Sequence, residues 1–245
     1  MPQPLDQLFL TVAQTRRIDQ LAADRYHMPS IVLMENAARS ALAIILVNYP
    51  PEKFTRVAVL VGAGNNGGDG LALARLMHNA GYQVRVLWAI DPGELTGDAA
   101  VNRNIVLAME LPGEKLRLDK TTIDLPRAEA TLRESDLAID GLLGTGLKGA
   151  ARPPLAGLIE LVNDLADLPV VALDVPSGFD ADAGLPADDG RGASIIAAMT
   201  ISFAANKAGY RLPGATHYTG RVEVGDIGVP RELVEEQVRP PTSED

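Results

Sequence analysis

Six polar side chains stand just beyond apolar runs: Asn65, Asn66 and Asp69 after one, Asp140 closing a second, and Asp174 and Ser177 after a third. Carboxylates so placed can exchange protons, because burial and mutual repulsion tune their pKa values. The oxygen-bearing set Asn66, Asp140 and Ser177 also suits a hard cation. A plainer reading competes. An Asn or Asp beside a glycine turn often only caps a helix, and a strand-end aspartate can be a salt-bridge partner. Capping needs one such residue, however, and three crowd the first position. Asp140 and Asp174 both adjoin glycine-bearing loops. His27, His78 and His217 stand alone, with no histidine–carboxylate pattern for zinc. Ser177 lacks a Gly-x-Ser-x-Gly elbow and a histidine partner, which argues against a serine hydrolase.

The elements that must hold these groups read as alternating strands and helices. Val57–Val61 is apolar without alternation, as a strand buried on both faces is. Gly62 to Gly70 then holds five glycines, two asparagines and one aspartate in nine positions. Leu71, Ala74 and Leu76–Met77 follow at helical spacing, so the segment reads strand, glycine loop, helix. Gly62, Gly64 and Gly67 fit the G-x-G-x-x-G spacing of a dinucleotide fingerprint in the context that it requires. Glycines let a phosphate approach the main chain, and the helix behind them offers free N–H groups.

Before this lie a loose or docking arm (residues 1–10), a helix over Thr11–Asp24 and a greasy helix from Ile31 to about Val47 carrying Glu35 and Asn36. After it come a strand at Gln83–Ile90, a turn at Asp91-Pro92-Gly93 and a helix over Thr96–Met109. Asp91 lies where a dehydrogenase places its ribose-binding acid, but an Asp before Pro-Gly is more often turn chemistry. Residues 111–134 are mixed, with room for a short strand and a surface helix. Further strands read at Ser135–Asp140 and Pro169–Leu173, separated by the glycine loop 141–149 and a helix from Pro153 to about Leu165. Thr200–Phe203 and Val222–Val224 add two more, with Asn206-Lys207-Ala208-Gly209 between them. From about Glu232 the chain is polar and expected to fray. No repeat or linker divides it, so residues 1–245 read as a single domain. In an open parallel sheet the carboxyl ends of the strands line one crevice, and the polar loops would meet there.

Composition narrows the functions. The 245 residues are 47% hydrophobic and 22% charged, ordinary for a globular chain. A net charge of −10 and 4% aromatics disfavour nucleic-acid and anionic-membrane surfaces. There is no cysteine, which removes disulfides and thiol chemistry and fits a reducing cytoplasm. The N-terminus shows no signal-peptide pattern, and no run is expected to reach the length of a membrane helix.

Three motifs, in order, give a resemblance: Gly64-Asn65-Asn66-Gly67-Gly68-Asp69-Gly70, Asp140-Gly141-Leu142-Leu143-Gly144-Thr145-Gly146 and Leu173-Asp174-Val175-Pro176-Ser177-Gly178, with Leu33-Met34-Glu35-Asn36-Ala37 upstream. From about residue 11 to 230 the chain resembles the N-terminal YjeF family, the NAD(P)H-hydrate epimerases. The resemblance implies a three-layer αβα Rossmann-like fold with a mostly parallel sheet. It implies interconversion of the R and S hydrates of NADH and NADPH (NADHX and NADPHX), so that a separate, S-specific dehydratase can restore the coenzyme. It assigns the dinucleotide to Asn65, Asn66, Gly67, Gly68, Asp69 and to Gly144, Thr145, Gly146, Leu147, Lys148, Gly149 and Ala150. Asp174 would contact the altered nicotinamide and act as acid/base. A potassium ion would be held by Asn66, Asp140 and Ser177. The family's dehydratase domain is not expected within this length. The two N-terminal helices could close a homodimer. The rival readings are a non-catalytic dinucleotide-binding or scaffold module of the same fold, and an ordinary NAD-dependent oxidoreductase. No Tyr-x-x-x-Lys pair supports the latter.

Overall fold

The computed structural model describes residues 5–238 except 118, 120, 147 and 148. In chain order, β1 (Phe9–Leu10) leads into α1 (Val12–Tyr26) and α2 (Ser30–Asn48), followed by β2 (Arg56–Val61), α3 (Asn65–Asn79) and β3 (Gln83–Trp88). Next come α4 (Gly97–Ala108), β4 (Gly113–Lys115), α5 (Leu125–Arg133), β5 (Leu137–Gly141), α6 (Leu155–Asp164) and β6 (Val170–Leu173). A small hairpin, β7 (Phe179–Asp180) and β8 (Leu185–Pro186), precedes β9 (Met199–Phe203) and β10 (Asn206–Lys207). The short α7 (Ala215–Thr219), β11 (Arg221–Gly225) and α8 (Arg231–Val238) complete the described chain.

Seven strands form one sheet in the order β11-β9-β6-β5-β2-β3-β4. Every pairing in it is parallel. Strand residues alternate between two cores. Val57, Val59 and Val61 face α2, α3 and α4, while Ala58 and Leu60 face α5 and α6. That gives the three expected layers. The chain builds β3 and β4 to one side of β2, then β5, β6, β9 and β11 to the other. The switch point, where such sheets bind ligands, therefore falls between β2 and β5.

Three local expectations need correction, and one alternative is decided. The helix expected after Gly70 begins at Asn65, with Gly64 at φ +87° as its N-cap. The polar cluster Asn65–Asp69 is thus the first turn of α3 and not a loop. The arm is docked over its described part: β1 pairs with β10, and Leu8 and Leu10 are buried. The tail does not fray at residue 232. Its few apolar residues suffice, because α8 buries Leu233 and Val234 in a cluster with Ile18 and Leu21 of α1. Finally, α2 is long and apolar enough to cross a membrane, with 19 residues and a mean hydropathy of 1.6. Its composition reflects a core role: Leu33, Met34, Ala37, Ala38, Ala41 and Ile45 are buried in the fold. Its Glu35 pairs with Arg39 at 3.0 Å and with Arg75 of α3.

Leu233→Ala should destabilise the protein by about 2–4 kcal/mol, the usual cost of emptying a buried leucine site. Urea denaturation reads this directly. An unchanged midpoint would mean that α8 contributes nothing to the core.

Candidate active site

Close approach at the switch point makes the first half of the site. A Cβ on Gly62 would lie 1.9 Å from the Leu142 carbonyl oxygen, so only glycine lets the ends of β2 and β5 meet. The Asn66 side chain crosses this junction, and its Nδ2 donates to the Leu143 carbonyl at 2.8 Å. The Leu143 N–H donates to Ser177 Oγ at 2.8 Å. Ser177 Oγ in turn donates to Asp140 Oδ1 at 2.6 Å, and the Ser177 N–H donates to Asp140 Oδ2 at 2.7 Å. Asn66, Asp140 and Ser177, far apart in sequence, are therefore brought together around Leu142 and Leu143.

This pocket has an unfilled demand. Asn66 Oδ1 is buried and has no hydrogen-bond partner. Such an atom normally finds one, because burying it unpaired costs about 1–3 kcal/mol. Asp140 is fully buried, and burial pushes its carboxyl up to about 6 against the opposing hydrogen bonds from Ser177 and Leu142. An orphaned carbonyl oxygen beside a desolvated carboxylate and a hydroxyl is a donor set that a weakly hydrated monovalent cation satisfies. Among the described residues there is no group of three His, Cys, Asp or Glu able to hold a metal ion. The chemistry here is that of a hard oxygen site.

The second half centres on Asp174. Lys207 is fully buried, and its Nζ lies 2.6 Å from Asp174 Oδ1. The same ammonium donates to the Phe203 carbonyl at 2.9 Å. Asp174 Oδ1 also accepts from the Phe203 N–H at 3.1 Å, and Tyr210 donates its hydroxyl to the Asp174 carbonyl at 2.5 Å. The backbone is held in a costly shape here. Asp174 (φ +60°) and Ala204 (φ +65°) both adopt the left-handed region, which for such residues persists only when the surroundings impose it.

Two more carboxyls share this field. Burial and the charges of Asp174, Asp19 and Asp98 push Asp69 well up. Asp19 of α1 is exposed as a residue. Crowding by the surrounding protein still raises its carboxyl to about 6, with Asp174 adding to the rise and Lys207 opposing it. The arrangement is one carboxylate tied to an ammonium beside two that favour the proton, a division of roles suited to acid–base chemistry.

The glycine loop after β5 borders both halves. A Cβ on Gly144 would sit 3.2 Å from Asn66 Cβ, and Arg16 of α1 donates to the Thr145 carbonyl at 2.5 Å. Gly146, Gly149 and Ala150 continue it, while Leu147 and Lys148 lie outside the described residues. Asn65 is exposed at the first turn of α3, and Gly67 and Gly68 are buried behind it. Sequence reasoning missed Asp19, Lys207 and Tyr210. The available signal was a lone lysine among Ala204, Ala205, Ala208 and Gly209, directly after a buried strand.

The chain has clear relatives. The model of the YjeF-related protein N-terminus matches residues 30–209. The chain is 39% identical over 225 residues to the NAD(P)H-hydrate epimerase of Rhodopirellula baltica, covering 92% of this chain and 86% of that protein. It is 35% identical to the NAD(P)H-hydrate epimerase of Limosilactobacillus fermentum, covering 89% of this chain and 95% of the relative. It is 39% identical to the bifunctional NAD(P)H-hydrate repair enzyme Nnr of Moorella thermoacetica, covering 93% of this chain but only 42% of that longer protein. The crystal structure of the yeast protein ynu0 matches with a TM-score of 0.78 at 24% identity, covering 97% of this chain and 96% of its own, and supports the fold. The chain belongs to the YjeF-related N-terminal family.

Two outcomes follow from this geometry. Lys207→Met should cost on the order of 3 kcal/mol in urea denaturation, because it strands Asp174 without its partner; a loss near zero would contradict the pair. Asp19 titrates higher folded than unfolded, so its contribution to stability is present below pH 3.8 and is lost as the pH rises through about 6. Asp19→Asn should therefore gain on the wild type as pH rises from 4 to 7, in thermal denaturation at each pH. A constant difference between the two proteins across that range would refute the shift.

Proposed function

We propose that this chain is an NAD(P)H-hydrate epimerase that interconverts the R and S forms of NADHX and NADPHX in nicotinamide-nucleotide repair. The observation that carries the reading is its 39% identity across most of a standalone epimerase. The buried Asp174–Lys207 pair is the local feature that agrees with it. A scaffold of the same fold would have no use for an ammonium sequestered against a strained aspartate.

The chemistry follows from the substrate. The hydrate carries a hydroxyl on C6 of the nicotinamide ring. Asp174 takes the hydroxyl proton as the C6–N1 bond breaks to give an open-chain aldehyde, and N1 receives a proton from the Asp19/Asp69 group. Rotation and the reverse steps close the ring with the hydroxyl on the opposite face. Lys207, 2.6 Å from Asp174 Oδ1, holds the side chain in place for this. The dinucleotide lies across the first turn of α3 (Asn65 to Asp69) and the loop from Gly144 to Ala150, with its phosphates at the N-terminus of α3. Asn66, Asp140 and Ser177 would hold a potassium ion, whose charge would offset the buried Asp140 carboxylate and fix the loop after β5. We further propose a cytoplasmic enzyme coupled through its product to a separate NAD(P)HX dehydratase.

Asp174→Asn should lower turnover at least about 100-fold, the scale of general acid–base catalysis. ADP-ribose affinity by calorimetry should change little. Lost affinity with turnover per bound ligand retained would show that Asp174 only binds.

A further inference from the structure

Resting on the epimerase reading, we propose that the cleft between the carboxyl ends of β2 and β3 and the segment leading into α6 is a 2′-phosphate subsite: Arg117 and Arg152 there grip the adenosine 2′-phosphate of NADPHX, so that the phosphorylated hydrate is the preferred substrate. The cleft has a volume of about 360 Å³ and is bordered by Gly62, Ala63, Ala89 and Ile90 at the carboxyl ends of β2 and β3. A larger cleft of about 410 Å³, lined by Arg56, His78 and Glu134, lies at the opposite edge of the sheet, far from Asp174.

Topology sets the direction. The nicotinamide end belongs at β6 with Asp174, and the diphosphate at the start of α3 behind β2. A dinucleotide running on across the same edge reaches β3, the next strand in the sheet. The cleft opens there, two residues from Asn65.

Its chemistry selects an anion. In a chain of net charge −10, the described residues lining this cleft include two arginines and no carboxylate, Glu94 pairing with Arg117 from outside the lining. Arg152 is exposed and has no ion pair or side-chain hydrogen bond among the described residues. Arg117 is held in place by Glu94 at 3.2 Å and by the Asp119 carbonyl at 3.1 Å. Guanidinium forks match a phosphate dianion. The residue that would instead bind a free ribose 2′-hydroxyl is Asp91. It is committed elsewhere: Oδ2 accepts from Lys115 Nζ at 2.7 Å, and Oδ1 accepts from the Gly93 N–H at 3.0 Å. It does not line the cleft.

Titration calorimetry with ADP-ribose and 2′-phospho-ADP-ribose separates this subsite from catalysis. The full chain should bind the phosphorylated ligand at least about tenfold more tightly, as one charge-assisted contact allows. Arg152→Gln, which breaks no pair seen in the fold, should shrink that ratio, and Arg117→Gln should do so too, with thermal denaturation checking that each variant folds. Equal affinities in the wild type, or a preference that survives both substitutions, would overturn the subsite and leave the epimerase reading intact. Failure to bind either ligand would overturn the dinucleotide reading and the subsite with it.

Discussion

The constraint on which the site depends is the burial of Lys207. An ammonium taken wholly out of water must be paired and hydrogen-bonded or it loses its proton. Here the partner is Asp174, and the remaining donors find the carbonyls at the end of β9. That requirement explains several otherwise separate features. Strand β10 must return beside β1 to carry the lysine inward. Ala204 must take a left-handed turn to start that return. Tyr210 must lie over the Asp174 backbone. Ala205, two residues before the lysine, packs in the apolar cluster that α1, α8 and β1 form.

The same logic links the two halves of the site. Asp174 and Ser177 lie on one turn after β6, so the segment that orients the acid/base also supplies a hydroxyl to Asp140. The Asn66 side chain ties this turn, through Leu143, to the first turn of α3. A parallel sheet with its switch point between β2 and β5 places all four segments on one edge without any long-range adjustment. Filling the vacant acceptor at Asn66 would stiffen this junction, because its partners are already fixed by hydrogen bonds.

Much of this was legible in the sequence. Strands buried on both faces announce themselves as unbroken apolar runs, and Val57–Val61, Leu137–Ile139 and Val170–Leu173 are such runs. A carboxylate or asparagine at the end of each stands out against that background, which is why Asn66, Asp140, Asp174 and Ser177 could be named together. The partners could not. Lys207 reaches Asp174 across space from a two-residue strand that has no periodicity to detect. Asp19 looks like any polar position on the outer face of α1, and only the fold turns it toward the site. The start of α3 was hidden because five glycines within nine residues read as loop, although glycine can occupy a helical first turn when the surrounding packing fixes it. The terminal helix α8 was masked by charged residues around two buried apolar ones. In each case tertiary contact decided what local propensity left open.

The most direct measurement uses purified single-epimer S-NADHX, followed by chromatography with and without the protein, in potassium and then in sodium buffer. The account predicts appearance of the R form well above the spontaneous rate, faster in potassium. No acceleration in either buffer, with dinucleotide binding still measurable, would contradict it and leave the chain a binding module.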